Sequence, residues 1–288
     1  MTNALGSLIT LLGNLTPCVR IIDVGALWLG ETCQVYRPLL RSGNASVVGF
    51  EPFADECESL NQRFAKQNHL YLPYAIGDGT KHLFYICNFP MTSSLLEPDL
   101  SVMNLYHDLP QYCQVTSLRE METHRLDDIK EIGPVDYLKI DVQGSELEVL
   151  KGARRTLQDT LVVHTEVEFA PIYRNQPLFA EVDQFLRGHG FMFHSFMAME
   201  GRPLESFGKT CPPKGNTQQL LWSDAVYVRQ ISGWDHLRTD SLLKLAVILH
   251  EVYKAYDFSA RLLHLYDARI GGNYCPQYLE MLGAGAEI

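Results

Sequence analysis

An α/β fold, with a parallel sheet covered by helices on both faces, is predicted by three features of the sequence. Apolar runs of strand length end repeatedly in an acid, helical spacing follows those ends, and the alternation recurs from residue 18 to residue 169. The most informative stretch is VDYLKIDVQGSELEVLKGA, residues 135–153. Val135, Tyr137, Leu138 and Ile140 form a run short enough for a buried strand, stopped by Asp141 and followed by Gly144 and Ser145. Ser145 and Glu148 have the spacing of a capping box, and Leu147, Leu150, Ala153 and Leu157 recur at helical intervals. A carboxylate therefore stands at the carboxyl end of a buried strand, just before a helix. In open α/β sheets that crevice is where ligands bind.

The remaining elements follow in order. MTNALGSLITLLGNLTPCVR lacks a basic start and a clear cleavage site, so a leading helix over about residues 1–17 is expected to cover the first strand. CVRIIDVG (18–25) is that strand, with Asp23 and Gly25 at its end. Helical spacing then runs to about residue 42, interrupted or restarted at Pro38. ASVVGFEP (45–52) is a second strand ending in Glu51, and residues 54–68 read as a helix with Cys57, Leu60 and Phe64 on one face. LYLPYAIGD (70–78) reads as a third strand ending at Gly77 and Asp78, with KHLFYICNF (81–89) paired beside it. MTSSLLEPDL (91–100) has loop composition, and HRLDDIK (124–130) reads as a short helix capped by Asp127 and Asp128.

LVVHTEVEF (161–169) is a fifth apolar strand carrying His164, Glu166 and Glu168. A helix at about 178–188 precedes FMFHSFMAM (191–199) and LLWSDAVYVR (220–229), which read as an antiparallel pair. Phe191, Phe193 and Phe196 read as core and sheet edge. Beyond residue 234 the character changes. Leu242, Leu245, Ala246, Leu249, Val252 and Tyr253 mark one amphipathic helix, and Leu262, Leu263 and Tyr266 mark another. The division is thus a domain over 1–234 and a C-terminal helical extension over 235–288. A cap packed on the domain is the plainer reading of that extension; a homodimer contact or a lid is the sharper one.

Bulk properties narrow the function. With 46% hydrophobic and 20% charged residues the composition is that of a globular protein. A formal charge of −10 and the lack of a basic block argue against a nucleic-acid partner. Seven cysteines without a C-x-x-C pair read as free thiols in a reducing cytoplasm. No window reaches the roughly 20 apolar residues of a membrane span.

Asp23, Glu51, Asp78 and Asp141 form a series of strand-end acids, expected to line one sheet edge as acceptors for the ribose hydroxyls and amine of an adenosine. The glycine loop selects the cofactor. Gly25-Ala26-Leu27-Trp28-Leu29-Gly30 has Leu27 where a dinucleotide loop needs its middle glycine, so a ligand without pyrophosphate suits it better. A sulfonium with a cationic tail would also find Asp23 nearby. S-adenosylmethionine is therefore favoured over a nicotinamide cofactor.

IIDVGA (21–26), VVGFEP (47–52), YAIGD (74–78), SSLLEP (93–98), HRLDDI (124–129) and DYLKIDVQGSELEVLKGA (136–153) together resemble the FkbM family of S-adenosylmethionine-dependent methyltransferases. The likeness extends through TEVEFAPIY (165–173) and QPLFAEVDQFL (176–186) to DAVYVR (224–229). It implies the class I methyltransferase fold, a Rossmann-like three-layer sandwich whose seven-stranded, mostly parallel sheet has an antiparallel last strand. It also implies methyl transfer to a hydroxyl of a small-molecule, sugar, glycan or natural-product acceptor. Carried over by position, Asp23, Gly25 and Ala26 lie in the cofactor loop, Glu51 faces the ribose, Gly77 and Asp78 lie near the adenine, and Asp141 lies beside the methyl group. The loop after Ala26 departs from the family pattern: it is one residue longer and lacks the usual Asn.

A hydroxyl acceptor needs a proton acceptor as the new bond forms. Asp141, His164 and Glu166 are the catalytic candidates, with Glu168 beside them. Each has a structural alternative: a hydrogen-bonded core histidine at 164, and bridges from Glu166 and Glu168 to Arg174 or Arg154. Ser93 and Ser94 bound the pocket or sit in a solvated loop. No metal is expected, although Asp141, Glu166 and Glu168 are hard oxygen ligands. The rivals to a methyltransferase are a non-catalytic adenosyl-binding scaffold and a nicotinamide oxidoreductase.

Overall fold

The computed structural model describes residues 6–28, 30, 34–205 and 219–283. Its strands are β1 (Val19–Val24), β2 (Ala45–Phe50), β3 (His69–Leu72), β4 (Ala75–Ile76), β5 (Lys81–Cys87), β6 (Val115–His124), β7 (Tyr137–Ile140), β8 (Val162–Glu168), β9 (Phe191–Arg202) and β10 (Gln219–Arg229). The helices are α1 (Leu8–Leu12), α2 (Arg37–Arg41), α3 (Ala54–Arg63), α4 (Leu100–Met103), α5 (Leu109–Tyr112), α6 (Glu146–Lys151), α7 (Thr156–Asp159), α8 (Phe179–Gly188), α9 (Thr239–Ile248), α10 (Tyr256–Ile270) and α11 (Tyr274–Met281). A π-helical turn, Leu249–Tyr253, continues α9.

Seven strands join in the order β3-β2-β1-β7-β8-β10-β9. All pairs are parallel except those of β10, which runs antiparallel to β8 and β9. The sheet is the one expected, with its last strand in the chain reversed. After β1 the chain builds outward to β2 and β3, then returns to lay β7 on the other flank of β1. The strand order reverses there, the position at which open α/β sheets bind their ligands.

Alternation along the strands sends side chains to two separate cores. Val19, Ile21, Tyr137, Val162 and Val226 pack in one cluster with Leu8 and Leu12 of α1, Leu262 and Leu263 of α10 and Tyr278 of α11. Ile22, Val24, Leu138, Ile140, Val163 and Tyr227 pack on the opposite face with Leu147 and Leu150 of α6 and Val182 and Leu186 of α8. Largely apolar apart from Asp240 and Lys244, α9 lies inside the first cluster, with Leu242, Leu245, Ala246, Val247 and Ile248 fully buried. The C-terminal helices thus form one of the three layers. Their apolar residues pack on the sheet, as the cap reading expects.

Several local expectations change. Between Gly25 and Tyr36 the described residues form no helix; α2 begins only at Arg37, with Pro38 in its first turn. Leu29 of the glycine loop lies outside the described residues, as do Cys33, Cys211 and most of the connection between β9 and β10. The stretch 70–78 is not one strand. Pro73 interrupts it, β3 ends at Leu72, and Ala75–Ile76 pairs with β6 in a second sheet of order β4-β6-β5. Beside β3 there is therefore no β5; β5 pairs with β6.

Candidate active site

Register between β1 and β7 places Asp23 opposite Lys139, and β8 continues the row with His164. Asp23 is buried, and its two oxygens are occupied: the Tyr36 hydroxyl donates to Oδ2 at 2.5 Å, and Lys139 Nζ stands 3.3 Å from Oδ1. Lys139 Nζ also lies 3.5 Å from Asp141 Oδ2. Burial works against the ammonium, but Asp23, Asp141 and Asp224 outweigh it and hold its pKa above the ordinary lysine value. The Tyr36 hydroxyl is pushed far up by burial and by Asp23, so it remains a donor.

The loop after β1 lies against the end of β7. Gly25 has φ +82°, and a side-chain carbon there would collide with the Asp141 carbonyl oxygen. The Gly25 and Ala26 amides donate to the Phe50 carbonyl at 3.1 and 3.0 Å, closing the loop onto β2. Glu51 follows directly. It is buried, and its Oε1 accepts the Phe53 amide at 3.0 Å. Burial pushes its pKa up to about 7; the Phe53 amide opposes this and Glu56 adds to it.

Asp78 does not extend this row. Once Pro73 diverts the chain, its Oδ1 holds the turn into β5, accepting from the Thr80 amide at 2.9 Å, from the Thr80 hydroxyl at 2.8 Å and from the Thr123 hydroxyl at 3.2 Å, with His82 Nε2 at 2.9 Å. Gly77 is tied to the same small sheet, its amide donating to the His124 carbonyl at 3.0 Å.

At the end of β7, Gln143 Nε2 donates to Asp141 Oδ1 at 2.8 Å and to Glu166 Oε2 at 2.7 Å. Gln143 has φ +59°, a conformation that costs a non-glycine residue about 1 kcal/mol or more. Its carbonyl accepts the Ser94 hydroxyl at 2.6 Å, which anchors the backbone from below. Ser93 and Ser94 are buried rather than solvated, and the Ser93 hydroxyl accepts the Cys87 amide at 3.0 Å.

The capping box expected from Ser145 and Glu148 does not form. The Ser145 hydroxyl donates to the Val142 carbonyl at 3.4 Å, and Glu148 pairs with Lys151 at 2.6 Å. Glu146 instead folds back on the preceding loop: its Oε1 accepts the Val142 amide at 2.9 Å and the Gly144 amide at 3.2 Å. That turns Glu146 inward to meet Glu166 and Glu168, with carboxylate oxygens of all three within 4.8 Å of one another. Burial first, then repulsion among these acids and Asp141, raises the pKa of each, that of Glu146 to about 7. The bridges expected to Arg174 and Arg154 are absent: Arg174 pairs with Glu97 at 3.1 Å and Arg154 lies over the Phe185 ring. These three carboxylates are the hard-oxygen set a divalent cation would use, with Glu146 in the place expected of Asp141.

A cleft of about 270 Å³ opens beside this cluster. Its polar lining includes Gln143, Glu166, Glu168 and Arg202; Phe89, Tyr112, Tyr173 and Trp222 are among its apolar and aromatic walls. A second cavity of about 320 Å³, lined by Pro134, Val135 and Arg155, lies at the amino end of β7, away from the crevice.

His164 does not line the cleft. It is buried one step back along β8, with Nδ1 3.0 Å from the Tyr253 hydroxyl and Nε2 3.7 Å from Asp224. Tyr253 comes from the π-helical turn and also meets the Tyr137 hydroxyl at 2.7 Å. Asp127 caps as expected, but the amides it receives are those of Arg155 and Thr156 at α7, both at 2.8 Å; Asp128 pairs with Arg125. Sequence reasoning missed Tyr36, Lys139, Gln143 and Glu146. One signal was available: Lys139 is a charge inside an apolar run, which a buried strand tolerates only beside a counter-charge.

The chain is similar to known methyltransferases. The family model described as the methyltransferase FkbM domain matches residues 23–193, more than half of the chain. No curated protein matches. Among solved structures, precorrin-6y C5,15-methyltransferase from Geobacter metallireducens GS-15 is 11% identical, with 80% of this chain and 93% of that chain covered at a TM-score of 0.38. A TehB-like SAM-dependent methyltransferase from Corynebacterium glutamicum is also 11% identical, with 80% and 90% covered at a TM-score of 0.35. The chain belongs to the FkbM family of methyltransferases, enzymes whose methyl donor is S-adenosylmethionine.

Proposed function

We propose that this methyltransferase methylates a hydroxyl of a small, partly apolar acceptor of the sugar or natural-product class, with Glu166 as general base. One observation carries the reading. The Gln143 amide joins Asp141, on the side of the Gly25 loop, to Glu166, on the side of the cleft, so cofactor crevice and acceptor cleft meet at one side chain.

The residues fit an adenosyl ligand. Gly25 lets the loop after β1 close against the Asp141 backbone without a side chain, and Glu51 stands at the end of β2 with Oε1 on its own loop. When bound, S-adenosylmethionine supplies a methyl group activated by a sulfonium. Glu51 would hold the ribose hydroxyls, and Asp141, steadied by Lys139 and Gln143, would hold the methionine portion. Asp78 is left out of this set because its carboxylate holds the turn into β5.

The cleft walls orient the acceptor hydroxyl in line with the bond to be broken, and such positioning supplies several kcal/mol. Glu166 takes the hydroxyl proton at Oε1, since Oε2 is held by Gln143. Burial first, then the charges of Asp141, Glu168 and Glu146, hold the pKa of Glu166 above the ordinary glutamate value, which makes its carboxylate a stronger base than a solvated one. Isothermal titration with S-adenosylhomocysteine tests the first half: one-to-one binding is expected. Binding of NAD(H) in its place would overturn the reading.

A further inference from the structure

We propose that the acceptor carries a protonated amine near its reacting hydroxyl and that this ammonium seats against Glu168 in the aromatic-walled cleft. The inference rests on the methyl-transfer reading and names the acceptor class that the reading leaves open.

The first argument is a missing counter-charge. Glu168 is 2% exposed and lines the cleft. Its carboxylate faces those of Glu146 and Glu166, and among the described residues no cation pairs with it. Elsewhere this fold supplies a lysine to a buried acid: Asp23 has Lys139 at 3.3 Å, and Asp136 has Lys244 at 3.0 Å. The basic group that shares the cleft is engaged away from the acids, since Arg202 contacts Glu200 at 3.4 Å and its guanidinium lies 5.0 Å above the Trp222 ring. Gln143 takes up one oxygen of Glu166, and the Val142 and Gly144 amides take up Oε1 of Glu146. Glu168 has the neutral Gln176 side chain beside it and faces the cavity without a cation.

The second argument is the wall. Phe89 and Tyr112 meet edge to face with centroids 5.1 Å apart, and Tyr173 and Trp222 complete an aromatic lining. Aromatic faces attract ammonium groups, most strongly where water is excluded. A neutral acceptor would leave the Glu168 carboxylate without a counter-charge. An ammonium on an apolar frame matches both the charge and the surface.

The step balances with the amine as spectator. The hydroxyl oxygen gains the methyl carbon as the S–CH₃ bond breaks, and the electron pair of that bond stays on sulfur. The proton passes to Glu166 while the ammonium stays on Glu168.

Tyramine and its neutral analogue 2-(4-hydroxyphenyl)ethanol, titrated into the full chain saturated with S-adenosylhomocysteine near pH 7.5, provide the test. Tyramine is expected to bind about tenfold tighter, a preference abolished in Glu168→Gln while S-adenosylhomocysteine binding persists. Equal binding of the two probes, failure of both to bind at millimolar concentration, or an unchanged preference in Glu168→Gln would overturn the proposal. So would stoichiometric Mg²⁺ or Ca²⁺ binding that tyramine cannot displace, because the acids would then serve a metal. Loss of S-adenosylhomocysteine binding to the unmodified protein would instead strike the methyl-transfer reading, so the two failures are separable.

Discussion

Lys139 Nζ lies 3.3 Å from Asp23 Oδ1, so one buried ammonium clamps β1 to β7 at the point where the crevice opens. Lys139→Met leaves Asp23 buried without its counter-charge, and such a loss costs about 3 kcal/mol or more. A drop in denaturation midpoint is the expected result. In the double variant Lys139→Met/Asp23→Asn part of that loss returns, giving a coupling energy well above zero in a double-mutant cycle. Simple additivity would mean that the pair does no structural coupling.

Glu166→Gln keeps a partner for Gln143 and removes the proton acceptor. Turnover is expected to fall by about 10²–10⁴ with S-adenosylhomocysteine affinity nearly unchanged. A variant that loses cofactor binding along with turnover would place Glu166 in the cofactor site instead.

Cofactor binding should depend on pH through Glu51. Its folded pKa of about 7 lies above the ordinary glutamate value, so in the free protein this residue's contribution to stability is full at low pH and is lost as pH rises through about 7. The ionised form is the one that accepts ribose hydroxyls. S-adenosylhomocysteine affinity is therefore expected to rise as pH passes from 6 to 8 (roughly the span around a pKa near 7), with a proton released on binding. Glu146 also titrates near 7, so Glu51→Gln is the control. A slope that survives that substitution would belong to Glu146 or its partners.

Tyr253→Phe removes the hydroxyl that joins His164 to Tyr137. The structural role of His164 predicts a loss of about 1–3 kcal/mol in stability. Turnover below the melting range should stay within about twofold of the unmodified enzyme, as the change lies outside the cleft. A large fall in turnover without a change in stability would put His164 back among the catalytic residues.

Leu245→Ala opens a cavity in the helical layer and is expected to cost about 2–5 kcal/mol. Chemical denaturation checks this. A change under about 0.5 kcal/mol would mean that α9 is peripheral, against its burial.

Much of the sheet was legible because its strands are buried on both faces and read as short apolar runs. β1, β2, β7, β8 and the β9–β10 pair stand close to where those runs place them. β6 was invisible for the converse reason. Of its ten residues only Met121 and Thr123 are buried, so no alternation marks it as a strand. Pro73 was visible, but the switch of Ala75–Ile76 to another sheet depends on pairing with that hidden strand.

The site was legible residue by residue and not as a network. Asp141 and Glu166 were chosen from strand ends, and register brings them to the same crevice. The Gln143 bridge between them depends on a left-handed backbone at a residue that carries no local signal for it. Glu146 and Glu148 look equivalent in sequence. A two-residue difference around α6 sends one to the acid cluster and the other to Lys151.

The layer made by α9, α10 and α11 has a consequence for how the protein is born. These helices leave the ribosome after every strand of the sheet, yet Val19, Ile21, Tyr137 and Val162 depend on them for cover. During synthesis the nascent sheet therefore carries an uncovered apolar flank for several seconds at ordinary elongation rates. Chaperone demand is expected to be greatest in the interval before α9 emerges.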